Sequence, residues 1–71
     1  MLTRRYWFRH PISSQNMFDI ISRRIAKAKW TAKARVGDSY VDVVANNNTH
    51  EMIKQFVDAI VSREYEIETI D

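Results

Sequence analysis

The 71-residue chain has no cysteine, one glycine and one proline. Without thiols, disulfide staples and thiolate zinc sites are excluded. With Gly37 as the only glycine, a glycine-rich phosphate loop is excluded too. No apolar run approaches the roughly 18 residues that a membrane-spanning helix needs. The opening ten residues are basic but lack an apolar core, so a signal peptide is not expected. The resulting expectation is a cytoplasmic protein without membrane contact. Acids are also missing from one long stretch: between Ile20 and Gly37 there is none.

Charge is segregated along the chain. Residues 1–35 hold nine Lys/Arg against a single acid, Asp19, whereas residues 36–71 hold two Lys/Arg against eight acids. The formal net charge of +2 conceals this division. Either one half faces a partner of opposite sign, or the two halves neutralise each other in the fold. At 45% hydrophobic residues the chain can form a core, and its length suits one small domain over residues 1–71. Unstapled domains of this size sit near the stability threshold, which favours a partner or a homodimer.

Hydrophobic periodicity divides the chain into six elements. Leu2 to His10 is rich in aromatic residues and stops at Pro11, as a strand does. Its alternation puts Tyr6 and Phe8 on one face and Arg5, Trp7 and Arg9 on the other. Ser13-Ser14 offers an N-cap for a helix over about 14–28, with Met17, Phe18, Ile21, Ile25 and Ala28 at helical spacing. Arg24 flanks that stripe and is expected to lay its aliphatic stem along it. Trp30–Val36 and Tyr40–Ala45 each alternate, and Gly37-Asp38 between them has the chemistry of a type II′ hairpin turn. That turn predicts Val36 opposite Ser39, Lys33 opposite Asp42 and Arg35 opposite Tyr40. Asn48-Thr-His-Glu51 has capping-box spacing, and Met52, Ile53, Phe56, Val57, Ile60 and Val61 form a stripe for a second helix to about Arg63. Tyr65–Ile70 alternates again as a last strand.

This β-α-β-β-α-β order resembles the split-βαβ, ferredoxin-like sandwich: an antiparallel sheet ordered 4-1-3-2 with both helices on one face. The resemblance is topological, and that superfold hosts enzymes, RNA-binding domains, sensors and scaffolds, so it does not supply a function. RNA-recognition domains stack bases on aromatics of their first and third strands. Here Trp7 lies between Arg5 and Arg9, but the third strand offers only Tyr40 and carries Asp42. Trp7 and Tyr40, with the flanking Arg5 and Arg9, are therefore subsidiary stacking or interface candidates, with packing of Trp7 on Val44, Tyr40 and Ile70, or a dimer contact, as the alternative. Acylphosphatases share the topology but need an arginine in a glycine-bearing loop, which His10-Pro11-Ile12-Ser13 does not supply.

The candidate binding residues are Arg23, Arg24, Lys27, Lys29, Lys33 and Arg35. An ordinary exposed helix mixes signs at i, i+4 spacing, and this run does not. Helix-end cations complement the helix dipole, which accounts for some of them. Glu66 and Glu68 share the face of Arg5 and Arg9 and are expected to neutralise them across the strands. His10, Ser13, Ser14, Asp19, Asp38 and His50 form no nucleophile–base signature, so neither catalysis nor a cofactor or metal is expected. The chain is thus expected to be a small non-catalytic regulatory protein that contacts a nucleic-acid backbone. A first alternative is a small inhibitor or adaptor, of viral or plasmid type, that docks the same cations on an acidic protein. A second is a structural homo-oligomer in which the basic strand-two edge meets the acidic strand-four edge.

Overall fold

The computed structural model describes residues 1–9, 14–62 and 65–70. The proposed roles of His10, Pro11, Ser13, Arg63, Glu64 and Asp71 lie outside these described residues. The chain runs β1 (Leu2–Phe8), α1 (Ser14–Ala28), β2 (Ala32–Val36), β3 (Tyr40–Ala45), α2 (Asn47–Val61) and β4 (Tyr65–Thr69). The architecture is α+β, with one four-stranded sheet in the order β2-β3-β1-β4, all neighbours antiparallel. Read from the other edge, this is the expected 4-1-3-2.

Alternation sets the faces. Tyr6, Phe8, Val41, Val43 and Ala45 are buried on one face, where they meet Met17, Ile21 and Ile25 of α1 and Ile53, Val57 and Val61 of α2. Each fully buried aliphatic side chain contributes about 1.5–3 kcal/mol. The expected stripe of α2 is too wide. Ile53, Val57 and Val61 form its buried line, and Met52 and Ile60, one position back at each turn, are about 40% exposed.

Helix ends depart from the expected chemistry. Ser14 begins α1, but its hydroxyl donates to the Gly37 carbonyl (2.8 Å) and lies 3.3 Å from that of Asp38, tying the helix start to the β2–β3 loop. At the other end Lys29 takes φ 58°, with Trp30 N–H bonded to Ile25 C=O and Lys29 N–H to Ala26 C=O. This is a Schellman motif with lysine where glycine is favoured. α2 is capped by Asn46, whose Oδ1 accepts from Thr49 N–H at 2.8 Å, two residues before the expected cap. Three adjacent asparagines offer the same cap chemistry. Starting at Asn47 puts Thr49, His50, Ile53, Val57 and Val61 in the buried line, and Glu51 pairs with Arg4 instead. His50 is fully buried and donates from Nε2 to the Leu2 carbonyl at 2.8 Å, tying α2 to the start of β1.

The hairpin register also differs from expectation. Val36 pairs with Val41, Arg35 with Asp42 and Lys33 with Val44. Gly37 N–H bonds Tyr40 C=O at 2.8 Å, so Asp38-Ser39 is the loop. No glycine has positive φ, so the type II′ turn at Gly37 does not form. The ring of Tyr40 lies across Gly37 so closely that a Cβ there would overlap it. The slip is two residues, which leaves every side chain on its expected face.

Candidate functional site

Two surfaces hold the candidate residues, one on each side of the sheet. On the face away from the helices, β1 runs between β3 and β4, with Arg5 opposite both Asp42 and Glu68, and Trp7 opposite both Tyr40 and Glu66. Arg5 makes a bidentate pair with Asp42, Nε to Oδ1 at 2.8 Å and Nη2 to Oδ2 at 3.0 Å. Its guanidinium lies 3.9 Å from the Tyr40 ring centroid and 5.7 Å from that of Trp7. The Asp42 hydrogen bond, followed by Coulombic attraction from Asp42, Tyr40 and Glu68, raises the Arg5 pKa against the opposing cost of desolvation. Trp7 and Tyr40 meet at 5.0 Å with their planes tilted by 60°, and Trp7 Nε1 donates to Glu68 at 3.1 Å. Arg9 pairs with Glu66 at 3.3 Å.

The structure therefore gathers the four subsidiary candidates Arg5, Trp7, Arg9 and Tyr40, but their charges and one tyrosine ring face are already engaged. The expected Lys33–Asp42 and Arg35–Tyr40 pairs do not form. The register slip moves Lys33 to Val44, and Asp42 is held by Arg5. Arg5, not Arg35, stacks on Tyr40.

The six principal candidates do not form one patch. Arg23, Arg24 and Lys27 are exposed on α1, and Lys29 follows in its C-terminal turn. Lys33 and Arg35 are exposed on β2 and point to the opposite, helix-free face, sharing a cavity of about 330 Å³ with Thr3, Asp42 and Val44. The sheet separates the two groups because positions 33 and 35 alternate away from Ala32 and Ala34. Among the described residues, none of the six makes an ion pair. The other described Lys and Arg side chains do: Arg4 with Glu51, Arg5 with Asp42, Arg9 with Glu66, and Lys54 with Asp58.

The α1 group borders a groove that single-element reasoning missed. Ile20, Arg23, Arg24 and Lys27 line it from α1 and Phe56 from α2, as an open depression of about 260 Å³. Arg24 spans its end, with its guanidinium 5.5 Å from the Phe56 centroid and 5.6 Å from that of Trp30. Phe56 was legible as a member of the α2 stripe, but nothing in the sequence says that it faces Arg24 across the helix pair.

A second feature not foreseen is a cleft of about 650 Å³ beside β4, lined by Lys54, Asp58, Ser62, Tyr65 and Ile67. The Tyr65 hydroxyl donates to Asp58, which also pairs with Lys54 at 3.2 Å. Burial, then the bond to Asp58, pushes the Tyr65 phenol well above its ordinary range. No group of three His, Cys, Asp or Glu side chains able to hold a metal occurs among the described residues. No helix among the described residues is long and apolar enough to cross a membrane.

Comparison with protein-family models, with curated proteins and with solved structures gives no match to this chain.

Proposed function

We propose that this chain is a non-catalytic binding protein, regulatory in role, that contacts the phosphate backbone of a nucleic acid through Arg23, Arg24, Lys27 and Lys29. The observation that carries this reading is the contrast in pairing. Cations on β1 and α2 are answered by carboxylates, and those of the α1 group are left without one. Unpaired cations clustered on one layer suit a polyanion, whose condensed counterions they would release on binding. Base stacking on Trp7 and Tyr40 is not part of the reading, because Arg5 covers Tyr40, Trp7 is bonded to Glu68, and Arg5 and Arg9 are already paired with Asp42 and Glu66. We read the architecture as ferredoxin-like, which the element order and the burial of both helices against one sheet face support.

A salt titration tests the binding. With about four phosphates neutralised, log K against log salt has a slope of about −3 to −4 on duplex DNA. The double substitution R23Q/K27Q reduces its magnitude by about 2. Absence of binding at low salt, or an affinity indifferent to salt, overturns the reading.

The groove favours a second reading, in which the same cations dock on an acidic protein. Its floor of Ile20 and Phe56 could take an apolar side chain, for which a phosphate backbone has no counterpart. Under this reading, a peptide alternating glutamate and leucine displaces the oligonucleotide and stays bound at physiological salt. If the oligonucleotide alone binds, this second reading fails.

A further inference from the structure

The two edges of the sheet are complementary to each other. β2 and β4 are the edge strands, and each leaves alternate backbone groups unpaired within the sheet. On β2 the Gly37–Tyr40 hydrogen bond fixes the phase: Lys33 and Arg35 bond inward to β3, so Ala34 and Val36 direct N–H and C=O outward, and Ala32 directs only its C=O, its N–H being bonded to the Trp30 carbonyl at 3.1 Å. On β4 the Ile70 N–H to Thr3 C=O bond fixes the phase in the same way. Glu66 and Glu68 bond inward to β1, and Tyr65, Ile67 and Thr69 direct theirs outward. Edges of this kind are templates for another strand.

We infer that the β2 edge of one copy pairs antiparallel with the β4 edge of the next, extending the sheet head to tail. Strand direction permits it, because β2 and β4 run oppositely and simple translation in the sheet plane continues the alternation. One register satisfies all the constraints. Ala34 faces Ile67 of the next copy as a hydrogen-bonded pair, with Val36 facing Tyr65, and Ala32 facing Thr69 with only its C=O free to accept. Lys33 then lies across from Glu68 and Arg35 from Glu66, at the close non-hydrogen-bonded positions, on the helix-free face. On the helix side, the small Ala32 and Ala34 come beside the large, partly covered Tyr65 and Ile67.

Pairing like edges is disfavoured. Two β2 edges would oppose Lys33 and Arg35 to the same cations, and two β4 edges would oppose glutamate to glutamate. The contact is therefore heterologous and open-ended. All helices stay on one side of the extended sheet, so the α1 cations recur about every four strands, or about 19 Å. This inference uses residues other than those assigned to the polyanion, so either reading can fail alone.

Sedimentation velocity on the full chain tests it. At low ionic strength, the average mass of wild type rises with concentration, and high salt returns it to the monomer. K33E/R35E and E66K/E68K each remain monomeric, and mixing the two restores assembly, because each supplies the edge that the other needs. A34P also stays monomeric while keeping its circular dichroism, since that N–H serves only the free edge. Amide exchange of wild type gives an independent readout that needs no variant: Ala34 and Ile67 gain protection as concentration rises. A monomer under all conditions, assembly unchanged in both charge variants, failure of the mixture to associate, or concentration-independent exchange each overturns the inference.

Discussion

Replacing Tyr6 by phenylalanine should stabilise this protein, although Tyr6 is at the centre of its core. The ring is fully buried on β1, stacked at 6.1 Å on Phe8 and 5.8 Å from Tyr65. Its hydroxyl is buried without a hydrogen-bond partner. A buried polar group left unpaired costs about 1–3 kcal/mol, and Y6F removes that group while keeping the ring contacts. Allowing for the small void left by the oxygen, a gain of about 1 kcal/mol is expected, or about 4–8 °C in Tm for a domain of this size.

The same burial pushes the Tyr6 phenol from 10.0 up to about 12. A raised phenol contributes stability that is complete below its unfolded value and is lost as pH rises through its folded value. Wild type should therefore lose about 3 kcal/mol between pH 10 and 12 through this group. Y6F abolishes that part of the alkaline limb, and the part due to Tyr65 persists. Thermal and urea unfolding followed by circular dichroism, at neutral and at alkaline pH, measures both effects. If Y6F is less stable than wild type at neutrality by more than about 1 kcal/mol, the hydroxyl has a partner and the reasoning fails.

Two backbone positions make opposite predictions. K29G should stabilise by about 0.5–1 kcal/mol, because Lys29 holds the left-handed conformation that closes α1; equal or lower stability in urea unfolding would refute the Schellman assignment. G37A should cost about 1–3 kcal/mol even though Gly37 does not have positive φ, because the added Cβ meets the Tyr40 ring. The near-ultraviolet dichroism of Trp7 and Tyr40 should change with it, and an unchanged spectrum with unchanged stability would remove the proposed contact.

Much of the fold was legible because hydrophobic alternation and helical spacing are local. Tyr6 and Phe8 against Arg5 and Trp7, the span 14–28 of α1 and the span 40–45 of β3 all follow from residue order. The cap of α2 was misplaced by two residues because Asn46 and Asn48 are chemically equivalent locally, and only the burial of His50 and Ile53 separates them. The candidate site was less legible. Arg23, Arg24 and Lys27 do lie together on α1, but the groove against Phe56 depends on how the two helices pack.

Sequence alone determined which face of the sheet each side chain occupies, because that depends on parity along a strand. The hairpin register was decided by tertiary structure. A slip of two residues leaves parity intact, so the hydrophobic pattern cannot detect it. The packing of Tyr40 on Gly37 and the bonds from Ser14 to the loop accompany the register that forms. That register puts Arg35 opposite Asp42, but Asp42 is paired with Arg5, its neighbour on β1, and Lys33 and Arg35 stay without an ion pair on the edge strand. The run of six cations is continuous in sequence, but in space it is divided, because one sheet lies between α1 and the outward side chains of β2.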